Sequence, residues 1–221
     1  MPQLGKCLCL DLANPLAGDA ESLSDLLERS YPAVLETDAL IVSLLAAQLQ
    51  TLLPSIRRVE EVIAQLFSQH PDCDLWEILP GAGNALAPRL LVAFGTDRKR
   101  YKNARELQTF SGIAPVTASS GKSRWIHWRW ACPKFLRQTF HEFAAQSISR
   151  SDWARAFYYQ QIHHGKHHHA AVRALAFKWI RILYRCWKDH KPYDEKFYLQ
   201  ALARRGSPLL AYLPSPPNQE V

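Results

Sequence analysis

Between Val42 and Leu66, eight apolar residues recur in alternating steps of three and four: Val42, Leu45, Leu49, Leu52, Ile56, Val59, Ile63 and Leu66. A strand buries every second residue and cannot produce that rhythm, whereas a helix with one apolar seam does. The spacing is the a/d pattern of a coiled coil. It predicts helices over 22–29 and 35–70. The seam can serve an antiparallel helical hairpin, an intermolecular coil that assembles protomers, or a core helix packed on its own domain. Pro54 falls inside the stretch but off the seam. It removes one backbone donor and should kink the helix or split it in two. His70-Pro71-Asp72 ends the coil, so residues 1–71 read as one helical or coiled-coil segment.

The next constraint is a tight turn, Leu79-Pro80-Gly81-Ala82-Gly83, with an apolar helix opening straight after it. Glycine permits positive φ and a bare backbone, so a phosphate can approach the amides at the helix start. This is the sequence form of a helix-hairpin-helix element that grips nucleic-acid backbone. Gly81, Gly83 and Asn84 would make that grip.

Charge points the same way. Before Pro80 there are four Lys/Arg against twelve Asp/Glu, a balance of −8; from Pro80 on there are 23 against 8, a balance of +15. A basic C-terminal two-thirds is the electrostatic footprint of a polyanionic partner. No apolar run reaches the roughly 18 residues of a membrane span, and Met1–Leu10 is too short for a signal peptide. Membrane partners are therefore not expected. Five scattered cysteines fit reduced thiols and a cytoplasmic protein better than a disulfide framework. Cys7 and Cys9 lack partner ligands nearby, so no metal site is expected.

The rest reads as mostly α. Helices are predicted over 84–94, 103–110 with Asn103 as cap, 133–148, 152–163 with Ser151 as cap, 167–190 and 192–205. Residues 111–130 read as loop with a short strand near Trp125–Trp130, and 207–221 as a loose proline-rich tail. The fold class is a long-helix or coiled-coil segment followed by a helical domain over 72–206.

Cations cluster in three places. Arg98, Lys99 and Arg100 share a loop. Lys122, Arg124 and Arg129 lie in a segment whose Trp125, Trp128 and Trp130 alternate with basic residues. Such rings can stack on unpaired bases, although at least two of the three tryptophans are expected to pack in the core. On the late helix, Lys178, Arg181, Arg185 and Lys188 form a basic stripe beside an apolar one of Val172, Leu175, Trp179, Ile182 and Cys186. His163, His164, His167, His168 and His169 read as a protonatable loop near phosphate, not as metal ligands.

Ser120, between Ser119 and Gly121, has Lys122 and Arg124 close in sequence. A serine that attacks a phosphodiester needs an exposed hydroxyl and cations to take up charge on the phosphorus oxygens.

From about Glu77 to Pro192 the ordered motifs resemble the C-terminal transposase domain of the IS110/IS116-type insertion-sequence transposases. They are Leu79–Gly83, Phe94-Gly95, Tyr101–Gly112 with Ile113-Ala114-Pro115, Ser120-Gly121, Trp153–Tyr158, Gly165-Lys166 and Lys191–Asp194. The resemblance implies DNA transposition and recombination by an RNA-guided enzyme. Such an enzyme has an N-terminal RuvC-like domain holding metal with four acids, a coil for assembly, and a serine that forms a transient phosphoserine link to DNA. On this match the serine is Ser120. Ser119 stands where relatives can carry an acid, and Trp125–Cys132 replaces a glycine- and arginine-rich run.

Asp11 resembles the aspartate that opens a RuvC-like domain, but the other three acids have no counterpart. No cofactor is thus expected on this chain alone, and Mg only with a RuvC-like partner domain. The expected partners are DNA, a guide RNA and a second copy of the chain through 42–66. The alternative is a catalytically inactive, truncated nucleic-acid-binding remnant or regulator; a helical partner-binding module with an incidental basic face is a third reading.

Overall fold

The steps of three and four emerge as a single helix, α1 (Ala20–Ser68), 49 residues long. The structure, a computed structural model, describes residues 20–127 and 129–213, with side chains described from 34 onward. The expectations at Cys7, Cys9, Asp11 and Trp128, and those for 214–221, lie outside the described residues. Pro54 does not split α1, and the two predicted helices are one. Proline removes one backbone hydrogen bond, while helix propagation is cooperative on either side. The Thr51 hydroxyl donates to the Ala47 and Gln48 carbonyls (3.3 and 2.8 Å), and the Ser55 hydroxyl donates to the Thr51 carbonyl (3.3 Å). These hydroxyls bind carbonyls in the turn that precedes the proline.

The whole seam is exposed, from 44% at Ile63 to 65% at Val42. Ala20–Ser68 is one continuous helix and not a hairpin, and its seam is exposed among the described residues. A second correction concerns hydropathy. Residues 39–56 carry no charged side chain, and a window within Val34–Ser68 reaches a mean hydropathy of 1.7. By length and composition alone this helix could cross a membrane. Ser43, Gln48, Gln50 and Thr51 interrupt its apolar surface, and the heptad step runs through it. The chain forms two compact units, one through Glu60 and one from Glu61.

The second unit is helical, with one small sheet. Its elements are α2 (Cys73–Glu77), α3 (Gly83–Phe94), α4 (Ala104–Phe110), β1 (Val116–Ser120), β2 (Ser123–His127), α5 (Lys134–Ser147), α6 (Asp152–His163), α7 (His168–Asp189) and α8 (Glu195–Arg204), then a 3-10 turn, Pro208–Tyr212. The predicted caps form: Asn103 accepts from the Glu106 amide at 2.9 Å, and Ser151 accepts from the Ala154 amide at 3.5 Å. Pro88 sits inside α3, where its missing donor affects only the carbonyl of exposed Asn84. α2, a single turn that carries Trp76 into the core, has no periodic signal in the sequence. The tail is also more ordered than expected, since Leu209 is buried and the 3-10 turn packs on α6.

α7 is the centre of this unit, packed by α4, α5 and α6. Its buried face is Val172, Leu175, Trp179, Ile180, Leu183 and Trp187. Ile182 and Cys186, expected on that stripe, are only half-buried, because a strict stripe drifts around a 3.6-residue helix over several turns. Trp187 meets Phe94 at 5.6 Å and Trp179 meets Trp153 at 4.6 Å between ring centroids. Their indole N–H groups are satisfied inside: Trp187 donates to the Gly95 carbonyl (2.7 Å), Trp179 to the Ser147 hydroxyl (2.8 Å) and Trp153 to the Tyr193 hydroxyl (2.6 Å).

Both turn glycines have positive φ, Gly81 at 83° and Gly83 at 52°, yet for different reasons. A Cβ on Gly81 would lie 2.9 Å from the Gln146 carbonyl carbon and oxygen at the end of α5, whereas one on Gly83 would meet nothing within 4 Å. Gly81 is therefore needed for close packing, and only Gly83 leaves its face open. Gly81→Ala is expected to cost about 2 kcal/mol or more from strain plus collision, and Gly83→Ala about 1 kcal/mol from strain alone. Urea denaturation of both variants checks the order.

Candidate nucleic-acid interface

The segment expected to be loop with a short strand near Trp125–Trp130 is a two-stranded antiparallel hairpin. Its second strand, β2, overlaps the expected one at 125–127 but starts two residues earlier, and β1 is unexpected. In the hairpin Ser120 is paired to Ser123, Ser119 to Arg124, Ala118 to Trp125, Thr117 to Ile126 and Val116 to His127. Gly121 and Lys122 form its two-residue turn. Positive φ at Gly121 (58°) but not at Lys122 is the mark of a type II′ turn, which suits the twist of short strands. The signal lay in Ser-Gly-Lys-Ser flanked by Val-Thr and Trp-Ile, but the hydroxyls and glycine masked it.

Ser120 is exposed at the tip of β1, one residue from the turn. Paired residues share a face of a sheet, and neighbours along a strand alternate. Ser120, Ser123, Trp125 and His127 therefore share one face, and Ser119, Arg124 and Ile126 the other. Of the two cations near Ser120 in sequence, Lys122 in the turn is the one not assigned to the opposite face. Trp125 is 42% exposed and Trp130 87% exposed. The expectation that at least two of the three tryptophans pack in the core is overturned. Both faces of a two-stranded sheet are open unless another layer covers them, and β1 and β2 pack chiefly on each other.

The other candidate cations divide by what already holds them. Arg98 donates to the Asp72 carboxylate (2.6 Å), lies 5.0 Å from the Trp187 ring, and has its Nη2 3.2 Å from His190 Nδ1. Asp72 is buried, so this pair helps to lock α2 to the end of α7. In the sequence Asp72 reads only as part of a boundary and His190 only as a helix end, since no local pattern links positions so far apart. Lys188 donates to the Arg98 carbonyl (2.7 Å). Lys178 rests over the Phe157 ring at 4.4 Å and the Trp153 ring at 5.3 Å. Lys99, Arg100, Lys122, Arg124, Arg181 and Arg185 are exposed, with Arg185 3.8 Å from Asp189 and Arg100 5.3 Å from the Tyr101 ring. Arg129 is half-buried. The first turn of α3, Gly83-Asn84-Ala85, is exposed, and a helix start leaves its first amides without partners in the helix.

The histidines sit at the junction of α6 and α7. His168 Nδ1 is 2.8 Å from the Tyr158 hydroxyl, and the His169 ring is 5.9 Å from that of His141 on α5. Burial, helped by the charges of His169, His168 and Arg173, holds His141 below its ordinary value. Among the described residues, the acid, thiol and imidazole groups whose ligand atoms gather within 4.8 Å are Cys73, Asp74 and Glu77. Two carboxylates with a soft thiol do not make the oxygen octahedron that Mg requires. Nor is there any Asp or Glu from Leu107 to His141. The residues around Ser120 thus do not fit a Mg site. Cys73, Cys132 and Cys186 are free thiols.

The glycine turn, α3, α4, the hairpin and α5 lie together in one stretch of the helical second unit. Residues 73–159 match the sequence model of the Transposase IS116/IS110/IS902 family. The chain is similar to the C-terminal part of IS110-type transposases. It is 28% identical over 168 residues to the mini-circle protein of IS117 from Streptomyces coelicolor, covering 76% of this chain and 41% of that one. It is 28% identical to the 42 kDa protein of insertion element IS900 from Mycobacterium paratuberculosis (70% and 39%). It is 29% identical to the 43.6 kDa protein of IS110 from Streptomyces coelicolor (71% and 39%). The chain thus spans about two-fifths of the length of these relatives.

Lys178 gives a test of the division among cations. Burial, with some repulsion from Arg181, pushes its ammonium down to about 8, against the rings of Phe157 and Trp153, which favour the charged form. A base whose folded value lies below its unfolded one opposes folding at neutral pH, and that penalty fades as pH rises through about 8 toward its ordinary range. Lys178→Met is expected to be more stable than the parent near pH 7, with the gap narrowing toward about pH 10. Denaturant midpoints at the two pH values check this.

Proposed function

We propose that this chain is the DNA-binding C-terminal part of an insertion-sequence transposase, acting in DNA transposition and recombination in the cytoplasm, with Ser120 as its nucleophile. The observation that carries the reading is the exposed Ser120 hydroxyl at the tip of a fixed hairpin, beside Lys122, inside a domain that resembles the transposase family. Gly83, Asn84, Lys99, Arg100, Lys122, Arg124, Arg181 and Arg185 take the phosphates. Arg98 and Gly81 support that surface from within.

In the chemistry assigned to Ser120, its Oγ attacks phosphorus and the Oγ–P bond forms. The P–O bond to the leaving deoxyribose breaks, and its oxygen departs with a proton. The serine proton passes to a base. Rejoining reverses these bonds on a second strand end. The hairpin has no carboxylate to act as that base. In this reading a RuvC-like partner domain brings the acids together with Mg, and a guide RNA selects the DNA.

Two experiments test this. With a RuvC-like partner half supplied, Ser120→Ala is expected to abolish the covalent protein–DNA adduct on a denaturing gel. Binding of the same DNA should stay within about twofold, because the hydroxyl contributes little to phosphate binding. Six phosphate contacts predict that affinity falls about a thousand-fold over a roughly fourfold rise in salt. A flat salt response or an adduct formed by Ser120→Ala removes the reading.

Assembly belongs to the same proposal. The exposed seam of α1 fits a second copy of the chain, since a/d residues gain their stability by interlocking with like residues across a coil. Leu49→Glu with Ile56→Glu is expected to convert the assembled species to monomer, read by sedimentation equilibrium in the absence of detergent. A parent protein that stays monomeric at high concentration counts against assembly through 42–66.

A further inference from the structure

α4 and the segment that leaves β2 frame an open pocket of about 590 Å³, lined by Lys102, Arg105, Phe110, Arg129, Ala131 and Pro133 among others. All of these residues belong to the second compact unit. Three cations face one acid, Glu106, whose carboxylate already accepts the Lys102 amide at 2.7 Å. Asn103, also on the wall, is engaged as the α4 cap.

Two features have no explanation in the fold. Phe110 is 47% exposed, with Tyr101 at 6.3 Å as its ring neighbour, although a phenylalanine normally buries its face. Arg129 is half-buried, and its Nε is shielded from solvent without a hydrogen-bond partner among the described residues. The Nε is closed to a ligand as it is to water, so what Arg129 offers the pocket is the charge of its guanidinium on the wall. Trp130, next in the chain, is almost fully exposed.

A ligand that suits this pocket has a flat apolar face for Phe110, Ala131 and Pro133, and negative charge for Lys102, Arg105 and Arg129. Intact duplex does not offer that combination, because its base faces are stacked on one another and only base edges and phosphates are in reach. An unpaired nucleotide offers both, with its base free to stack on an aromatic ring and its phosphates on either side. The volume is within the range of pockets that hold a small ligand.

We propose that this pocket holds an unpaired nucleotide of single-stranded nucleic acid, its base against Phe110 and its phosphates among Lys102, Arg105 and Arg129. The proposal rests on the reading of the chain as a nucleic-acid-binding protein, and adds that it selects an unpaired stretch. The single strand can be DNA opened for exchange or a loop of RNA, since both present the same base and phosphate.

The experiment is fluorescence anisotropy of the full chain with labelled oligothymidylate, labelled oligouridylate and a labelled DNA duplex. Phe110→Ala is expected to weaken single-strand binding about fivefold or more while duplex binding stays within about twofold, and Phe110→Tyr is expected to retain the single strand. Arg129→Gln and Arg105→Gln should each weaken single-strand binding. Tighter binding of oligothymidylate assigns the pocket to DNA, and tighter binding of oligouridylate assigns it to RNA. Circular dichroism melting reports whether each variant folds. If Phe110→Ala does not, the two arginine variants decide by the same criterion. A parent that binds both strand forms, with folded variants that bind the single strand equally well, overturns this inference alone. A parent that binds neither form overturns the nucleic-acid reading, and this inference with it.

Discussion

Two indole rings on α7 hold the second unit together. Trp179 and Trp187 are fully buried, and each has found an oxygen for its one donor: the Ser147 hydroxyl at the end of α5, and the Gly95 carbonyl after α3. Burial of a ring this large is a major contribution to a small core, but an unpartnered indole N–H would cancel much of it. The two bonds therefore fix which ends of α5 and α3 meet α7. The Gly95 carbonyl is presented at the point where α3 stops and the basic loop begins. Arg98 then crosses the Trp187 ring to reach Asp72, so the core and the lock share a side chain. The glycine turn is fitted to the same frame, with Gly81 against the backbone of α5 only because it lacks a Cβ.

That frame explains why cations alike in sequence differ in what they can do. Lys178, Arg181 and Arg185 form one stripe by spacing, yet Lys178 tilts onto Phe157 and Trp153 while Arg181 and Arg185 remain in solvent. A basic row is a row only in one dimension; the neighbouring helices decide which members face water. The hairpin is the opposite case. Its strands pack chiefly on each other, so most of its side chains remain exposed, tryptophan and isoleucine included.

Much of the helical architecture was legible in the chain. Asn103, Ser151, the steps of three and four, and the buried stripe of α7 each state a local rule that the tertiary structure obeys. The misses have a common physical origin. α2 is one turn, too short for periodicity to register, and is held by burial of Trp76. Pro54 reads as a breaker, although a single lost hydrogen bond is a small fraction of a helix of this length. Polar residues interrupt the charge-free stretch 39–56, so no unbroken apolar run marks it. β1 and the turn are hidden because Thr117, Ser119, Ser120, Gly121 and Lys122 are residues that local rules assign to loop, whereas Trp125 and Ile126 give β2 a strand signal. As for the candidate site, Ser120 and Lys122 could be named from sequence. The opposite placement of Arg124 could not, since it depends on strand register. The pocket beside Phe110 joins α4 to residues after β2, and no local pattern spans that gap.

The hairpin is also a lever. Five residues of strand span about 16 Å, and Ser120 rides at the far end, away from the pairing of Val116 with His127. A swing of about 10° at the root would carry the hydroxyl about 3 Å, while misplacement of a nucleophile by about 1 Å already slows a reaction about a hundredfold. In the proposed reading, whatever steadies the arm at its root would govern when the serine is in range, from a distance and without touching the reacting atoms.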